Sequence, residues 1–233
     1  MSLKSRIRFL KDYIYFKNAG GRIDKFFPIY SDYKEPAGSA VGHYFHQDLL
    51  VANYIAKNSP VRHIDIGSRI DGFIAHVAAF RSIEVIDVRE LKNTGHDNIF
   101  FKKMDLMNLE SVEPNICDSL SCLHAIEHFG LGRYGDPINP NGHLLGFKNL
   151  LRMLKSNGIL YISFPIGSCD AVQFNAHRIF KPDSIFSWQN ENPIELLNFS
   201  YVDDTGNLHK EVSIDSVPKN IKYGCGIYSF RKQ

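Results

Sequence analysis

Four cysteines are present, at 117, 122, 169 and 225, and none forms a CxxC pair. That spacing argues against a structural zinc site and against a secreted disulfide scaffold. No apolar run is long enough to cross a bilayer, and the first residues, MSLKSRIRFLKDYIYF, lack the continuous apolar core of a signal peptide. Charge of one sign is also missing: 27 Lys and Arg stand against 25 Asp and Glu, with no basic block. No nucleic-acid partner is therefore expected. Repeats and low-complexity tracts are absent. A soluble, reduced, cytoplasmic protein is expected, and 233 residues with 44% apolar content suffice for one full core.

Apolar periodicity divides the chain. Residues 1–42 read as an appendage, a short amphipathic helix over 1–18 followed by a loop rich in turn residues. Ile7, Leu10, Ile14 and Phe16 among basic neighbours make that helix a candidate for peripheral membrane contact or for docking to a partner. Residues 43–233 form the main domain. A helix is expected over 43–57. After Pro60, short apolar runs alternate with helical segments: VRHIDIG, then a helix in IDGFIAHVAAF, then SIEVIDV, NIFFKKMDL and ICDSLSCLHAI. A helix in GHLLGFKNLLRMLK, stopped by Asn157-Gly158, precedes the strand GILYISFPIG. Such alternation implies βαβ units and a parallel sheet with helices on both faces. LLNFSYVDDTGNLHKEVSI and KYGCGIYSFRK read as strands of an antiparallel pair closing it.

Ligands bind open α/β sheets at the carboxyl ends of the strands, near the point where strand order reverses. HIDIGSRIDGF has that placement, with Asp65 ending the first strand, Gly67 and Ser68 in the turn and Gly72 opening a helix. The loop is poor in glycine, since Arg69 and Asp71 stand where a dinucleotide loop would want more. Asp87 follows Asp65 by 22 positions, which suits a carboxylate accepting two ribose hydroxyls. Asp105 and Leu106, after the third apolar run, are placed to meet an adenine.

Taken in order, HIDIGSRIDG, Asp87, Asp105, CLHAIEH and LKSNGILYIS resemble the motifs of class I S-adenosylmethionine-dependent methyltransferases over roughly residues 50–170. The resemblance implies a Rossmann-like methyltransferase fold, S-adenosyl-L-methionine as cofactor, and contacts to it from Asp65, Gly67, Ser68, Asp87, Asp105 and Leu106. HAIEHFGLGRYGDPINPNGH and VQFNAHRIF further resemble a methyltransferase-like domain family of unassigned biochemical function, associated with bacterial surface-polysaccharide gene clusters. That narrower likeness implies a glycan setting, in which the partner of the N-terminal helix would be a glycan-assembly protein.

His124, Glu127, His128, His143 and His177 are expected around the pocket. Imidazoles titrate near neutrality, so His124, His128 or His177 is a candidate base for removing a hydroxyl proton. Structural hydrogen bonding is the plainer alternative. A divalent metal is another, because His124 and His128 are four apart, would share one face of a helix, and have Glu127 beside them. GLGRYGDPINPNGH reads as a binding loop in which Arg133, Tyr134 and Asp136 meet a sugar, with Asn175, Arg178 and Gln173 on the same rim. The leading expectation is methyl transfer to oxygen of a saccharide or nucleotide-linked sugar. The alternatives are an inactive binding or scaffold protein and a metal-dependent enzyme.

Overall fold

A computed structural model describes residues 3–188 and 193–233. It divides into two units, Met1–Ala40 and Val41–Gln233. In the first, helix α1 (Leu3–Asn18) precedes an irregular segment. Phe9 and Tyr13 of α1 meet Phe26 edge-on, and Phe9 also meets Tyr30. Ile7, Leu10, Ile14 and Phe16 are exposed.

The second unit is built on an eight-stranded sheet. Its strands are β1 (His63–Ile66), β2 (Ile83–Asp87), β3 (Ile99–Lys103), β4 (Cys117–Leu123), β5 (Leu154–Ile166), β8 (Ile194–Val202), β9 (Leu208–His209) and β10 (Gly224–Lys232). A separate hairpin consists of β6 (Ala171–Gln173) and β7 (His177–Ile179). The sheet order is β3-β2-β1-β4-β5-β10-β8-β9. The first five strands pair in parallel, whereas β10 runs antiparallel to both β5 and β8. This is the Rossmann-like methyltransferase architecture expected from the sequence, closed by antiparallel C-terminal strands.

Alternation along the strands feeds two cores, because successive side chains of a strand point to opposite faces. Ile64, Ile66, Leu120, Leu160, Ile162, Phe164 and Tyr228 pack with helix α4 (Gly142–Met153) and Trp188 on one face. Val85, Leu123, Tyr161, Cys225 and Ile227 pack on the other with helix α2 (His43–Asn58), Phe73 and Val77. Between β1 and β4 this second face is polar. His63 bonds the hydroxyls of Ser119 (2.8 Å) and Ser121 (3.1 Å), and Ser121 donates to Asp65 (2.5 Å).

Two helices differ from the sequence reading. IDGFIAHVAAF forms a wide turn, with Ile74 N–H donating to Arg69 O, before the four-residue helix α3 (Ala75–Ala78). Gly72 sits against α2, where a Cβ would fall 2.6 Å from Asp48 Oδ2, and this packing distorts the turn. Helix α4 ends at Met153 rather than at Asn157-Gly158. Leu154 is fully buried and already pairs with Cys117 as the first residue of β5.

Candidate functional site

Strand order reverses between β1 and β4, and the cleft lies there at the carboxyl ends of the strands. It has a volume of about 860 Å³ and runs from the Gly67–Asp71 loop to His177 and Tyr223. A narrower recess, lined by Ile86, Asp105, Leu106 and Met107, shares Gly67, Asp87, Arg89 and His124 with it.

The loop after β1 is held from beneath. Asp65 is fully buried and accepts three hydrogen bonds, from Ser68 N–H (3.0 Å), Ser68 Oγ (2.7 Å) and Ser121 Oγ (2.5 Å). Burial outweighs these bonds and pushes its carboxyl up to about 7. Asp65 does not line the cleft; it shapes the turn that does. Gly67 makes that turn with φ +72°, a conformation that disfavours a side chain, and a Cβ there would lie 2.9 Å from Ala125 Cβ. Its N–H donates to Ile86 O, tying loop to β2. Arg69 and Asp71, the unexpected residues of the loop, pair with each other at 2.8 Å on the exposed rim.

Asp87 ends β2 in the cleft, as its position in the sequence suggests, but it already has a partner. Its Oδ1 accepts from Arg89 N–H (2.8 Å) and Nε (2.9 Å), and its Oδ2 from Arg89 Nη2 (2.6 Å). A carboxylate offers about four lone-pair sites, so roughly one remains where two ribose hydroxyls were expected. The Arg89 guanidinium also stacks on Tyr134, 4.4 Å from its ring centre. Asp105 accepts from Met107 N–H through Oδ1 at 2.9 Å, and together with Leu106 lines the recess.

The opposite wall carries the histidines. His124 adopts φ +49°, uncommon for a side chain of its size, and its Nδ1 donates to Glu127 Oε1 at 2.8 Å. Burial pulls this imidazole down, but Cys225 and Glu127 outweigh it and leave its pKa well above the ordinary value. Burial would raise the Glu127 carboxyl, yet His124 holds it below its usual range. His128 donates from Nδ1 to Ala176 O at 2.7 Å, leaving Nε2 3.6 Å from Glu127 Oε1. The segment is a bend and a tight turn (Ile126–His128) instead of a helix, so the four-residue spacing of His124 and His128 does not give them a common helical face. Glu127 lies between them. Desolvation lowers the pKa of both His128 and His177. Buried Nε2 atoms of His124 and His177, and Oε2 of Glu127, have no hydrogen-bond partner.

Several expected residues serve other ends. Asp136 borders the recess, but its carboxylate accepts from the N–H groups of Gly130, Gly132 and Tyr134 and so staples its own loop. Arg178 is buried and donates to the carbonyls of Glu127, Phe129, Asn139 and Pro140; it locks the loop from behind. Asn175 and Gln173 do not line the cleft, though Ala176 and His177 of the same hairpin do. His143 lies between Phe180 and Trp188, away from the cleft. Arg133 does line it, donating to Ala176 O at 3.0 Å, with no carboxylate partner among the described residues.

Sequence reasoning missed Tyr44, Arg89 and Tyr223, which also line the cleft. Tyr223 stacks at 5.4 Å on His43, which in turn stacks at 5.2 Å on His124. KYGCG, a glycine-flanked strand entry, was the available signal for Tyr223. Nothing local marked His43 and Tyr44, which open α2 far away in the chain.

Fold and cleft together define a Rossmann-like methyltransferase fold with its ligand cleft at the switch point. Residues 98–185 match the family described as "Caenorhabditis protein of unknown function, DUF268". No curated protein matches the chain. Among solved structures, the [4+2]-cyclase SpnF superposes with a TM-score of 0.59 at 15% identity, covering 98% of this chain and 95% of its own. A putative sarcosine dimethylglycine methyltransferase from Galdieria sulphuraria gives 0.58 at 14% identity, covering 94% and 97%. The N-methyltransferase NodS from Bradyrhizobium japonicum WM9, in complex with S-adenosyl-L-homocysteine, gives 0.55 at 13% identity, covering 82% and 88%. At these identities the likeness is one of fold. No helix among the described residues is long and apolar enough to cross a membrane.

Proposed function

We propose that this protein is an S-adenosylmethionine-dependent methyltransferase acting on an oxygen of a saccharide or nucleotide-linked sugar, in the setting of surface-glycan assembly. One observation carries the cofactor assignment. Gly67, Asp87, Asp105 and Leu106 border one continuous cleft at the switch point, beside a turn too tight for any side chain at Gly67. These residues fit the cofactor: Asp105 and Leu106 would hold adenine, Asp87 one ribose hydroxyl, and the turn at Gly67 the close approach of the remainder. Bound S-adenosylmethionine supplies an electrophilic methyl group on a positively charged sulfur.

What remains for the chain is orientation and proton removal. His177 is the best-placed base: it lines the cleft, and desolvation lowers its pKa and so favours the neutral imidazole. Accepting the hydroxyl proton on its imidazole would leave an alkoxide character on the oxygen that takes the methyl. Arg133 and Tyr134 support an anionic, ring-bearing acceptor, since a guanidinium pairs with phosphate and a phenol ring stacks on sugar. The name of SpnF shows that this fold is not confined to proteins named as methyltransferases.

Calorimetry with S-adenosylmethionine and S-adenosylhomocysteine, followed by assay of methyl transfer to nucleotide-linked sugars, tests the reading. Binding of both with transfer to a hydroxyl is expected. Absence of binding at millimolar ligand to folded protein would sink it, and binding without transfer to any saccharide would remove the acceptor assignment.

A further inference from the structure

Behind the wall of the cleft, three side chains from distant parts of the chain converge. His43 is the first residue of α2, His124 follows β4, and Cys225 belongs to β10. One ligand atom of each lies within 4.8 Å of the other two. We propose that His43, His124 and Cys225 form a binding site for a thiophilic transition metal ion, zinc by the chemistry of the donors.

The outer contacts favour this. His124 donates Nδ1–H to Glu127, which assigns the tautomer and leaves Nε2 as the inward-facing nitrogen. That nitrogen is buried and has no partner, on a side chain only 5% exposed. A buried imidazole nitrogen without a partner is uncommon in a finished structure. His43 is held by ring stacking instead, on Tyr223 at 5.4 Å and on His124 at 5.2 Å. Metal-ligating histidines characteristically donate their second nitrogen to a carboxylate or carbonyl, which fixes the ring and makes the first nitrogen a better donor. His124 has that outer bond.

The donor set selects the ion. Two imidazoles and a thiolate suit zinc and exclude magnesium and calcium, which take oxygen. Cys225 is fully buried; its sulfur has weak contacts to Gln47 Oε1 and Gly226 O, each at 3.7 Å, and also acts on the His124 imidazole. Binding requires Cys225 as thiolate and both imidazoles neutral, so the protons that the Cys225–His124 pair carries would be released to solvent. Three protein ligands leave a tetrahedral ion one further position. Since His124 itself lines the cleft, a solvent or substrate oxygen from there would complete the set.

Of the metal ligands the sequence suggested, His124 belongs to this group. Glu127 and His128 do not join the group; Glu127 becomes the outer partner of a ligand. The inference stands apart from methyl transfer, because it concerns an ion bound with no cofactor or acceptor present.

Cobalt(II) titration of the chelator-stripped full chain tests it. One ion per chain is expected, with a thiolate-to-cobalt charge-transfer band and the intense visible bands of tetrahedral cobalt, both displaced by zinc. Cys225→Ser should abolish the charge-transfer band. His43→Gln should weaken binding at least tenfold, and Glu127→Gln by about 10–100-fold. Cys169→Ser, at the exposed cysteine, should change nothing. Circular dichroism identifies any variant that fails to fold, and His43→Gln, at a half-buried helix start, keeps the test alive if Cys225→Ser is lost. No charge-transfer band in the wild type, or an unchanged band in folded Cys225→Ser, would overturn the proposal.

Discussion

The two walls of the cleft are built on different principles. On the Gly67 side the polar groups satisfy one another: Asp65 is saturated by Ser68 and Ser121, Asp87 is clasped by Arg89, and Arg69 pairs with Asp71. On the histidine side they do not. Of the five buried side-chain atoms without a partner among the described residues, three belong to His124, Glu127 and His177. The first wall is a framework whose ligand contacts come mainly from shape and main chain. The second keeps donors and acceptors in reserve, where chemistry or an ion can use them.

The sharpest way to break this comparison is at the reserve side. His177→Gln should lower turnover by about 10²–10⁴-fold, the usual worth of a general base, while affinity for S-adenosylmethionine stays unchanged by calorimetry. The wild-type profile of kcat/KM should reflect the same group. A base acts when deprotonated, and desolvation lowers the His177 pKa, so activity should persist to below the ordinary histidine value of about 6.5 and fall only as pH drops through the lowered one.

Breaking the framework side should show in binding instead. Gly67→Val forces a branched side chain into φ +72° and into contact with Ala125. The strain, about 1–3 kcal/mol, should weaken cofactor binding by about 10–100-fold in calorimetry, with the sheet intact by circular dichroism.

His63 offers a stability test of the polar face under the loop. Burial pushes its imidazole down to about 3, so it stays neutral when folded. Below the unfolded value of about 6.5 the unfolded chain takes up a proton that the folded one refuses. Stability is therefore full above that pH and falls toward pH 3, by about 1.4 kcal/mol per pH unit from this group. Urea titrations between pH 7 and pH 4 should show a flatter pH dependence for His63→Gln than for the wild type.

The smallest expected effect concerns Arg89. Arg89→Ala removes the two guanidinium bonds to Asp87 and leaves the main-chain N–H on Oδ1, which makes room for a second ribose hydroxyl, a gain of about one hydrogen bond, or 0.5–1.5 kcal/mol. Binding of S-adenosylmethionine should tighten by about 2–10-fold. Weaker binding would mean that the guanidinium itself contacts the ligand.

Much of the framework wall was legible in the sequence because its determinants are local. Strand, turn and acid follow each other within a few residues, and Gly67, Asp87, Asp105 and Leu106 all stand at the cleft. The fold was legible for the same reason: short apolar runs separated by turn residues specify alternating strands and helices. The partners of those residues were not. Asp65 looked like a ligand contact, yet its bonds go to a serine three residues on and another 56 away. Arg178 and Asp136 have the composition of sugar-binding residues, but carbonyls and N–H groups of a folded loop consume them. The reserve wall was harder still. Its histidines were visible, but His43, Tyr223 and Cys225 reach it only once α2 and β10 have packed, and no spacing announces contacts across about 180 residues. The four-residue spacing of His124 and His128 would give a common face only on a helix, and the turn at Ile126–His128 removes that condition.

The central claim, that the Gly67 wall is a cofactor framework, is tested most directly by a crystal structure grown with S-adenosylhomocysteine. The account predicts adenine density in the recess beside Asp105 and Leu106, with a ribose hydroxyl on Asp87 and the chain of the ligand passing over Gly67 toward His124. Density elsewhere, or an Asp87–Arg89 pair unchanged with no ligand at saturating concentration, would contradict it.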